Sequence, residues 1–328
     1  MPSKINPESA DAGPLAIGID MGGTSVKLGV CRGAELLFQA PPIPTQNFRS
    51  AKNLLVAIRE TILALQQKLP GIAAVGVGVP GFTDFNTGMV HALTNVPGWE
   101  NVPLNTLLGK ATGHPTFVEN DANCMAYAEF KHGAGIGANN MIGVTLGTGV
   151  GGGLVLNGQL YRGSFSGAGE IGQMSIDYRG RPGSYGNTGA QEEYLGNREV
   201  AAGAATLFEA AGRKTTDEEC SPAALSAAAK KGDEVALQVW DEFATHLACG
   251  LANCIWLLNP DTVVIGGGIS NAGSQLFVPL KKKLNAQLHK AFRSKLKIVR
   301  ARFGNDAGII GSAAVALERL RAESSLVT

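Results

Sequence analysis

Charge of either sign is scarce and nearly cancels. Asp, Glu, Lys and Arg make up 17% of the 328 residues, and 28 basic against 27 acidic side chains leave a net charge of +1. No long-range field therefore draws the chain toward nucleic acid or an anionic membrane. Cysteine is also sparse: Cys31, Cys124, Cys220, Cys249 and Cys254 are odd in number, scattered, and never in CxxC spacing. Such a set gives neither a disulfide framework nor a zinc knuckle, and a reduced, cytoplasmic compartment is expected. No uninterrupted apolar run approaches the ~20 residues of a membrane-spanning helix. Met1–Gly13 is polar, lacks the apolar stretch of a signal peptide, and is expected to be a disordered lead-in.

What is abundant is glycine, 44 residues, which implies many tight loops. A hydrophobic content of 45% over this length is enough for two domains with their own cores. The pattern begins at Leu15–Val30, LAIGIDMGGTSVKLGV: an apolar run ending in Asp20, a glycine turn, and a second alternating run carrying Lys27. Strand, turn, strand is the natural reading, with a third strand to Gln39. Ser50 is placed to cap a helix whose apolar positions Leu54, Leu55, Ile58, Ile62, Leu65 and Leu69 keep a helical period. Ile72–Val79 and Thr116–Val118 read as strands, and a helix is expected from Ala122 to about Lys131. A second meander starts at Met141–Leu146 and continues through Gly153–Leu156. Residues 163–190 are loop-rich. Helices are expected at 199–209, 223–230, 233–258, 276–292 and 307–321, and strands at 262–265 and 297–301. The theme of meander, glycine turn, helix and strand thus occurs twice. The expected division is 14–120 plus 307–328 for a small α/β domain and 121–306 for a large one. Two such domains would flank a cleft, where ligands of α/β folds bind.

Several stretches could carry chemistry. Gly22, Gly23 and Thr24 would leave N–H groups to face an anion, because no Cβ blocks approach at glycine. Asp20 beside them would repel a phosphate unless a divalent cation bridges the two. Two readings stand: a Mg-nucleotide phosphate hairpin, or an ordinary hairpin with a surface Asp. Gly147-Thr148-Gly149 opens a second glycine turn between strands, and the two turns together could grip a phosphate chain from both sides. Gly266-Gly267-Gly268 follows a strand; it could admit a base or ribose, or simply be a turn. Gly76-x-Gly78-x-x-Gly81 and Gly147-x-Gly149-x-x-Gly152 spell GxGxxG, but neither opens a helix, so the dinucleotide fingerprint is rejected. No GxxxxGK[ST] loop occurs. Asp121 lies between a strand and a helix, as a cap worth about 1 kcal/mol or as a general base worth roughly 10²- to 10⁴-fold in rate. Asn120, Glu170 and Glu192 have the donors and acceptors to bind polyol hydroxyls.

Taken in order, Asp20-x-Gly22-Gly23-Thr24-x-x-Lys27, Gly78-Val79-Pro80-Gly81, Asn95-Val96-Pro97-Gly98-Trp99, Glu119-Asn120-Asp121-Ala122-Asn123, Leu146-Gly147-Thr148-Gly149-x-Gly151-Gly152-Gly153, Gly169-Glu170-Ile171-Gly172 and Ile265-Gly266-Gly267-Gly268 resemble the ROK family of sugar kinases. The resemblance runs from about residue 15 to 320. It implies an actin-like ATPase (ribonuclease H-like) fold and a hexose kinase using ATP and Mg²⁺, with glucose as the first expectation. Another hexose, polyphosphate as donor, or a non-catalytic sugar-sensing role stay open. It further implies ATP contacts at Gly22, Gly23, Thr24, Lys27, Gly147, Thr148, Gly149 and Gly266–Gly268. Asp20 would sit near Mg²⁺, directly or through water. Asp121 would be the catalytic base. Gly81, Asn95, Asn120, Asp121, Glu170, Gln173 and Glu192 would line the sugar. A homodimer is the family expectation.

One departure stands out. Many ROK proteins hold a structural zinc with one His and three Cys; here those positions are Gln173, Gly183, Tyr185 and Ala190. The frame Gly186-x-x-Gly189-x-x-Glu192 is kept, so all four ligands are absent together and no zinc is expected. Gln173 can donate and accept a hydrogen bond but cannot carry charge, so sugar preference could differ. ROK repressors carry a DNA-binding segment ahead of this body. Here about a dozen polar residues precede the first strand, so no nucleic-acid partner is expected.

Overall fold

The structure, a computed structural model, describes residues 13–93 and 98–325. These form two compact units, residues up to 124 together with those from 308 onward, and residues 125–307.

The first unit is built on strands β1 (Leu15–Met21), β2 (Ser25–Arg32), β3 (Glu35–Gln39) and β4 (Ile43–Pro44), helix α1 (Ala51–Lys68), strands β5 (Ile72–Val79), β6 (Thr83–Asp84), β7 (Met89–Ala92) and β8 (Glu100–Pro103), helix α2 (Leu104–Thr112), strand β9 (Thr116–Asn120) and the first turn of helix α3 (Asp121–His132). Its main sheet has the order β3-β2-β1-β5-β9, with β4 added to β2. β1, β5 and β9 run parallel, and the near-continuous apolar runs of β1 and β5 are buried, as a sheet covered on both faces requires. Ser50 caps α1 through its side chain, accepting from the Asn53 N–H at 3.3 Å. Leu54, Ile58, Ile62 and Leu65 then bury one face of that helix against the sheet.

The last helix of the chain closes the same unit. A Cβ at Gly18 would overlap the Ile309 carbonyl oxygen, and one at Gly76 the Ser312 carbonyl oxygen. Glycine in β1 and β5 therefore lets that helix lie directly on the sheet backbone. The Ser312 hydroxyl accepts from the Ile19 N–H at 3.0 Å and donates to the Ile309 carbonyl at 3.1 Å.

The second unit continues with the rest of α3, then strands β10 (Met141–Leu146), β11 (Val150–Leu156) and β12 (Gln159–Tyr161), helices α4 (Glu192–Leu195), α5 (Asn197–Ala210), α6 (Pro222–Lys230) and α7 (Glu234–Leu258), strand β13 (Thr262–Gly266), helices α8 (Ser274–Gln287) and α9 (Lys290–Arg293) and strand β14 (Lys297–Arg300); α10 (Ala307–Ser325) is the last helix. The sheet order is β12-β11-β10-β13-β14. Asp233 caps α7, accepting from the Ala236 N–H at 3.0 Å, and Trp240, Phe243, Leu247, Leu251 and Ile255 bury it in the core.

One sequence expectation needs correction, and one stretch holds elements the sequence reading missed. The single helix over 276–292 is two helices: buried Leu288 adopts extended backbone and turns into the core, and His289 restarts the chain by accepting from the Ala291 N–H at 3.3 Å. The stretch between Val79 and Thr116, to which the sequence reading assigns no element, holds the three-stranded sheet β6-β7-β8 and α2. Those strands are two to four residues long, too short to show a period.

Candidate functional site

In the first unit the candidate residues gather at the carboxyl edge of the parallel strands. Asp20 pairs in register with Gly78 of β5, and Gly78 with Glu119 of β9. Asp20, Gly81, Asn120 and Asp121 therefore belong to the end of the sheet where α/β folds bind ligands. Across the antiparallel ladder Asp20 faces Lys27, with Nζ at 3.4 Å from Oδ2. Burial raises the Asp20 carboxyl above its ordinary range, and the attraction and hydrogen bond of Lys27 only partly offset that. A carboxylate left short of positive charge is suited to a cation.

The first glycine turn differs in detail from expectation. The Gly22 N–H is not available to an anion; it closes the hairpin onto the Ser25 carbonyl at 3.0 Å. The exposed Gly23 and Thr24 N–H groups have no intramolecular backbone partner among the described residues. Buried Thr45, unremarked in the sequence, braces the turn: its hydroxyl donates to the Gly23 carbonyl at 2.9 Å and its N–H to the Thr24 carbonyl at 3.0 Å.

At the start of α3 the cap is Asn120, not Asp121. The Asn120 side-chain oxygen accepts from the Asn123 N–H at 3.1 Å, while its amide donates to the Gly81 carbonyl at 3.4 Å. Buried Glu119 braces this corner, accepting from the Asn120 N–H at 3.0 Å and the Asn123 amide at 2.9 Å. Asp121 is half-buried, and its Oδ1 accepts from the Ala122 N–H at 2.8 Å. Asn95 lies outside the described residues.

The second unit carries the other cluster. Gly147 closes its turn onto the Gly149 carbonyl at 3.0 Å, and its own carbonyl accepts from the Asn197 N–H at 2.9 Å. Gly266 of β13 pairs with Thr145 of β10, and a Cβ on Gly267, whose φ is +79°, would overlap the Leu146 backbone. The triple glycine thus sits beside the root of the second turn. Ser270 holds it, donating to the Gly267 carbonyl at 2.8 Å.

Glu192 reaches the same turn. Its Oε2 accepts from the Val150 N–H at 2.8 Å, and a Cβ on Gly149 would overlap that carboxylate. Its Oε1 accepts from the Gln173 amide at 3.4 Å. Burial, and then the charge of Glu192, raise the Glu170 carboxyl. Glu170, Gln173 and Glu192 are therefore one group of polar side chains set against a glycine turn. At the four positions Gln173, Gly183, Tyr185 and Ala190 there is no thiolate or imidazole, so this loop does not fit zinc.

The sequence model of the ROK family matches residues 16–319. The chain belongs to the ROK family. This ROK chain is 35% identical over 316 residues to a glucokinase of Halalkalibacterium halodurans, covering 90% of this chain and 92% of that protein. A ROK hexokinase from Thermus thermophilus superposes with a TM-score of 0.81 at 30% identity, covering 94% of this chain and 99% of the other. A ROK glucokinase from Streptomyces griseus, crystallised with glucose and AMPPNP, gives 0.79 at 29% identity, covering 93% and 99%. The ROK fold here is the α/β actin-like ATPase fold. No helix among the described residues is long and apolar enough to cross a membrane.

Proposed function

We propose that this ROK protein is an ATP-dependent hexose kinase that phosphorylates the 6-hydroxyl, with glucose as its first candidate substrate. The observation that carries this is the junction at Glu192. One oxygen of its carboxylate takes the Val150 N–H of the glycine turn, and the other takes Gln173, beside Glu170. Hydroxyl acceptors and phosphate-type donors share one corner of the second unit. The names of the relatives support the same reading.

Glu170, Gln173, Glu192, Asn120 and the Gly81 loop would orient the hexose by hydrogen bonds. Gly23, Thr24, Thr148 and Gly149 would offer N–H donors to phosphate oxygens, with Lys27 adding charge. Gly266–Gly268 would lie along the adenosine. Asp121 accepts the proton of the 6-hydroxyl as that oxygen attacks the γ-phosphorus. The O–P bond to ADP breaks as the new one forms, and ADP leaves. Asp20 would hold a hard cation: its half-buried carboxylate, incompletely balanced by Lys27, suits Mg²⁺. When bound with the nucleotide, Mg²⁺ supplies positive charge to the phosphoryl oxygens. The reaction proceeds without zinc.

The test is ADP release with Mg-ATP across glucose, mannose, fructose and N-acetylglucosamine, with a zinc-selective chelator present. Turnover on the order of 1–100 s⁻¹ on one of them is expected. Turnover on a hexose other than glucose keeps the chemistry and changes the substrate. No hexose-dependent ADP release overturns the reading.

A further inference from the structure

We propose that Asn187 is a positioning residue for hexose recognition: it fixes the polarity of the Gln173 amide and so sets which sugar hydroxyls the Gln173–Glu192 pair accepts. The inference rests on the kinase reading above.

Gln173 lies at the end of a loop that returns to Glu192 only after residues 174–191. The loop is tied by hydrogen bonds. The Ser175 hydroxyl donates to the Thr188 carbonyl at 2.7 Å, and the Ile176 N–H to the Gly189 carbonyl at 2.9 Å. The Arg181 N–H donates to the Tyr194 hydroxyl at 3.0 Å and its guanidinium to the Glu193 carbonyl at 2.7 Å. These bonds shape the backbone. Only Asn187 addresses Gln173 itself among the described side chains of this loop. Its Nδ2 donates to the Gln173 carbonyl at 2.9 Å and lies 3.5 Å from Gln173 Oε1.

The polarity follows from the partners. Both Gln173 oxygens face Asn187, so the Asn187 amide must present its NH₂ there. The Gln173 Oε1 is thereby held toward Asn187, and the Gln173 NH₂ is turned to Glu192 Oε1. Glu192 Oε2 is taken by the Val150 N–H. The relay runs in one direction, Asn187 to Gln173 to Glu192. It leaves the outer lone pairs of Glu192 for sugar hydroxyls and prevents the Gln173 amide from rotating to offer its oxygen in their place. The arrangement has a cost: Asn187 Oδ1 is buried with no hydrogen-bond partner, beside Gly183. A buried acceptor without a partner is unfavourable, and exchanging the amide's O and N would set Oδ1 against the two Gln173 oxygens instead.

Steady-state kinetics on the full chain test this. Asn187→Asp keeps size but puts carboxylate oxygens against both Gln173 oxygens. The expected result is a hexose KM raised at least ~10-fold, with kcat within ~3-fold and the ATP KM within ~2-fold, because the loss is of ground-state sugar binding. The ratio of kcat/KM between glucose and its 2-, 3- and 4-epimers should shrink, since the acceptor pattern is no longer fixed. Asn187→Ala carries the same comparison if the aspartate variant does not fold. In a Gln173→Ala background, Asn187→Ala should cost less than ~2-fold further, because it acts through the residue already removed. An unchanged hexose KM and epimer ratio, or equal losses in both backgrounds, overturns the proposal while leaving the kinase reading standing. Absence of turnover by the unmodified chain on every hexose overturns the kinase reading and this inference with it.

Discussion

The Glu192 carboxylate accepts the Val150 N–H at 2.8 Å, so the side chain that accepts from the Gln173 amide also holds the first residue of β11 after the glycine turn. In the proposed reaction this one residue would serve both the hexose and the nucleotide side. Glu192→Gln keeps the size and can still take the Val150 N–H through its amide oxygen, but its NH₂ then meets the Gln173 NH₂. Hexose KM should rise on the order of 10-fold, and ATP KM should rise less. Kinetics with each substrate varied in turn check the ordering. A larger effect on ATP than on hexose would contradict it.

Asp121 carries the proton in the proposed reaction. Asp121→Asn is close to isosteric and should lower kcat at least ~100-fold while leaving both KM values within a few-fold. Retained turnover would remove the base assignment.

Asp20 links stability to pH. Burial raises its carboxyl pKa in the folded chain, so the folded state favours the protonated form. The contribution to stability is present below the ordinary carboxylate pKa and is lost as pH rises through the raised folded value. Asp20→Asn, which never ionises, should therefore melt at a higher temperature than the unmodified chain at pH 7. The gap should close as the pH falls into the carboxylate range. The same variant should lose Mg-ATP turnover. Calorimetry at pH 4 and pH 7 checks the sign; a gap that widens on acidification would refute it.

Glu170 should shape the acid limb of activity. Its carboxyl is raised by burial and by the Glu192 charge, so it takes up a proton at higher pH than an ordinary Glu. If its ionised form accepts a sugar hydroxyl, kcat/KM for hexose falls on acidification, beginning above the usual Glu range. Removing the neighbouring charge in Glu192→Gln should move that limb to lower pH. A limb that stays in place would exclude Glu170 as its source.

The packing of α10 on β1 and β5 gives a stability test free of catalysis. Ser312→Ala removes a buried hydrogen bond to the Ile19 N–H, which costs about 0.5–1.5 kcal/mol. Gly76→Ala drives a methyl into the Ser312 carbonyl and should cost more, or prevent folding. Denaturant melts of the two variants check the ranking.

Much of this molecule is legible along the chain because its signals are local. Ser50 before a helical apolar stripe, the apolar run ending in Asp20, and Asp233 before α7 each state their structure within a few residues. What is not legible depends on partners distant in sequence. The Gly22 N–H was expected to be free, yet it closes its own hairpin. Asn120 takes the cap that Asp121 could have taken, its side-chain oxygen meeting the Asn123 N–H. Thr45 and Asn187 brace candidate site segments from 21 and 14 residues away, as their bonds to Thr24 and Gln173 show, with no motif to mark them. The break at Leu288 follows from where the core has room, which periodicity does not record.

The central claim is transfer of phosphate from ATP to a hexose hydroxyl, and ³¹P NMR of a reaction with Mg-ATP and glucose measures it most directly. The expected spectrum gains a hexose 6-phosphate resonance in step with ADP, and the Asp121→Asn protein gains neither at a comparable rate. If no hexose phosphate forms with glucose or any other hexose, or if ATP loses only inorganic phosphate, the account is contradicted.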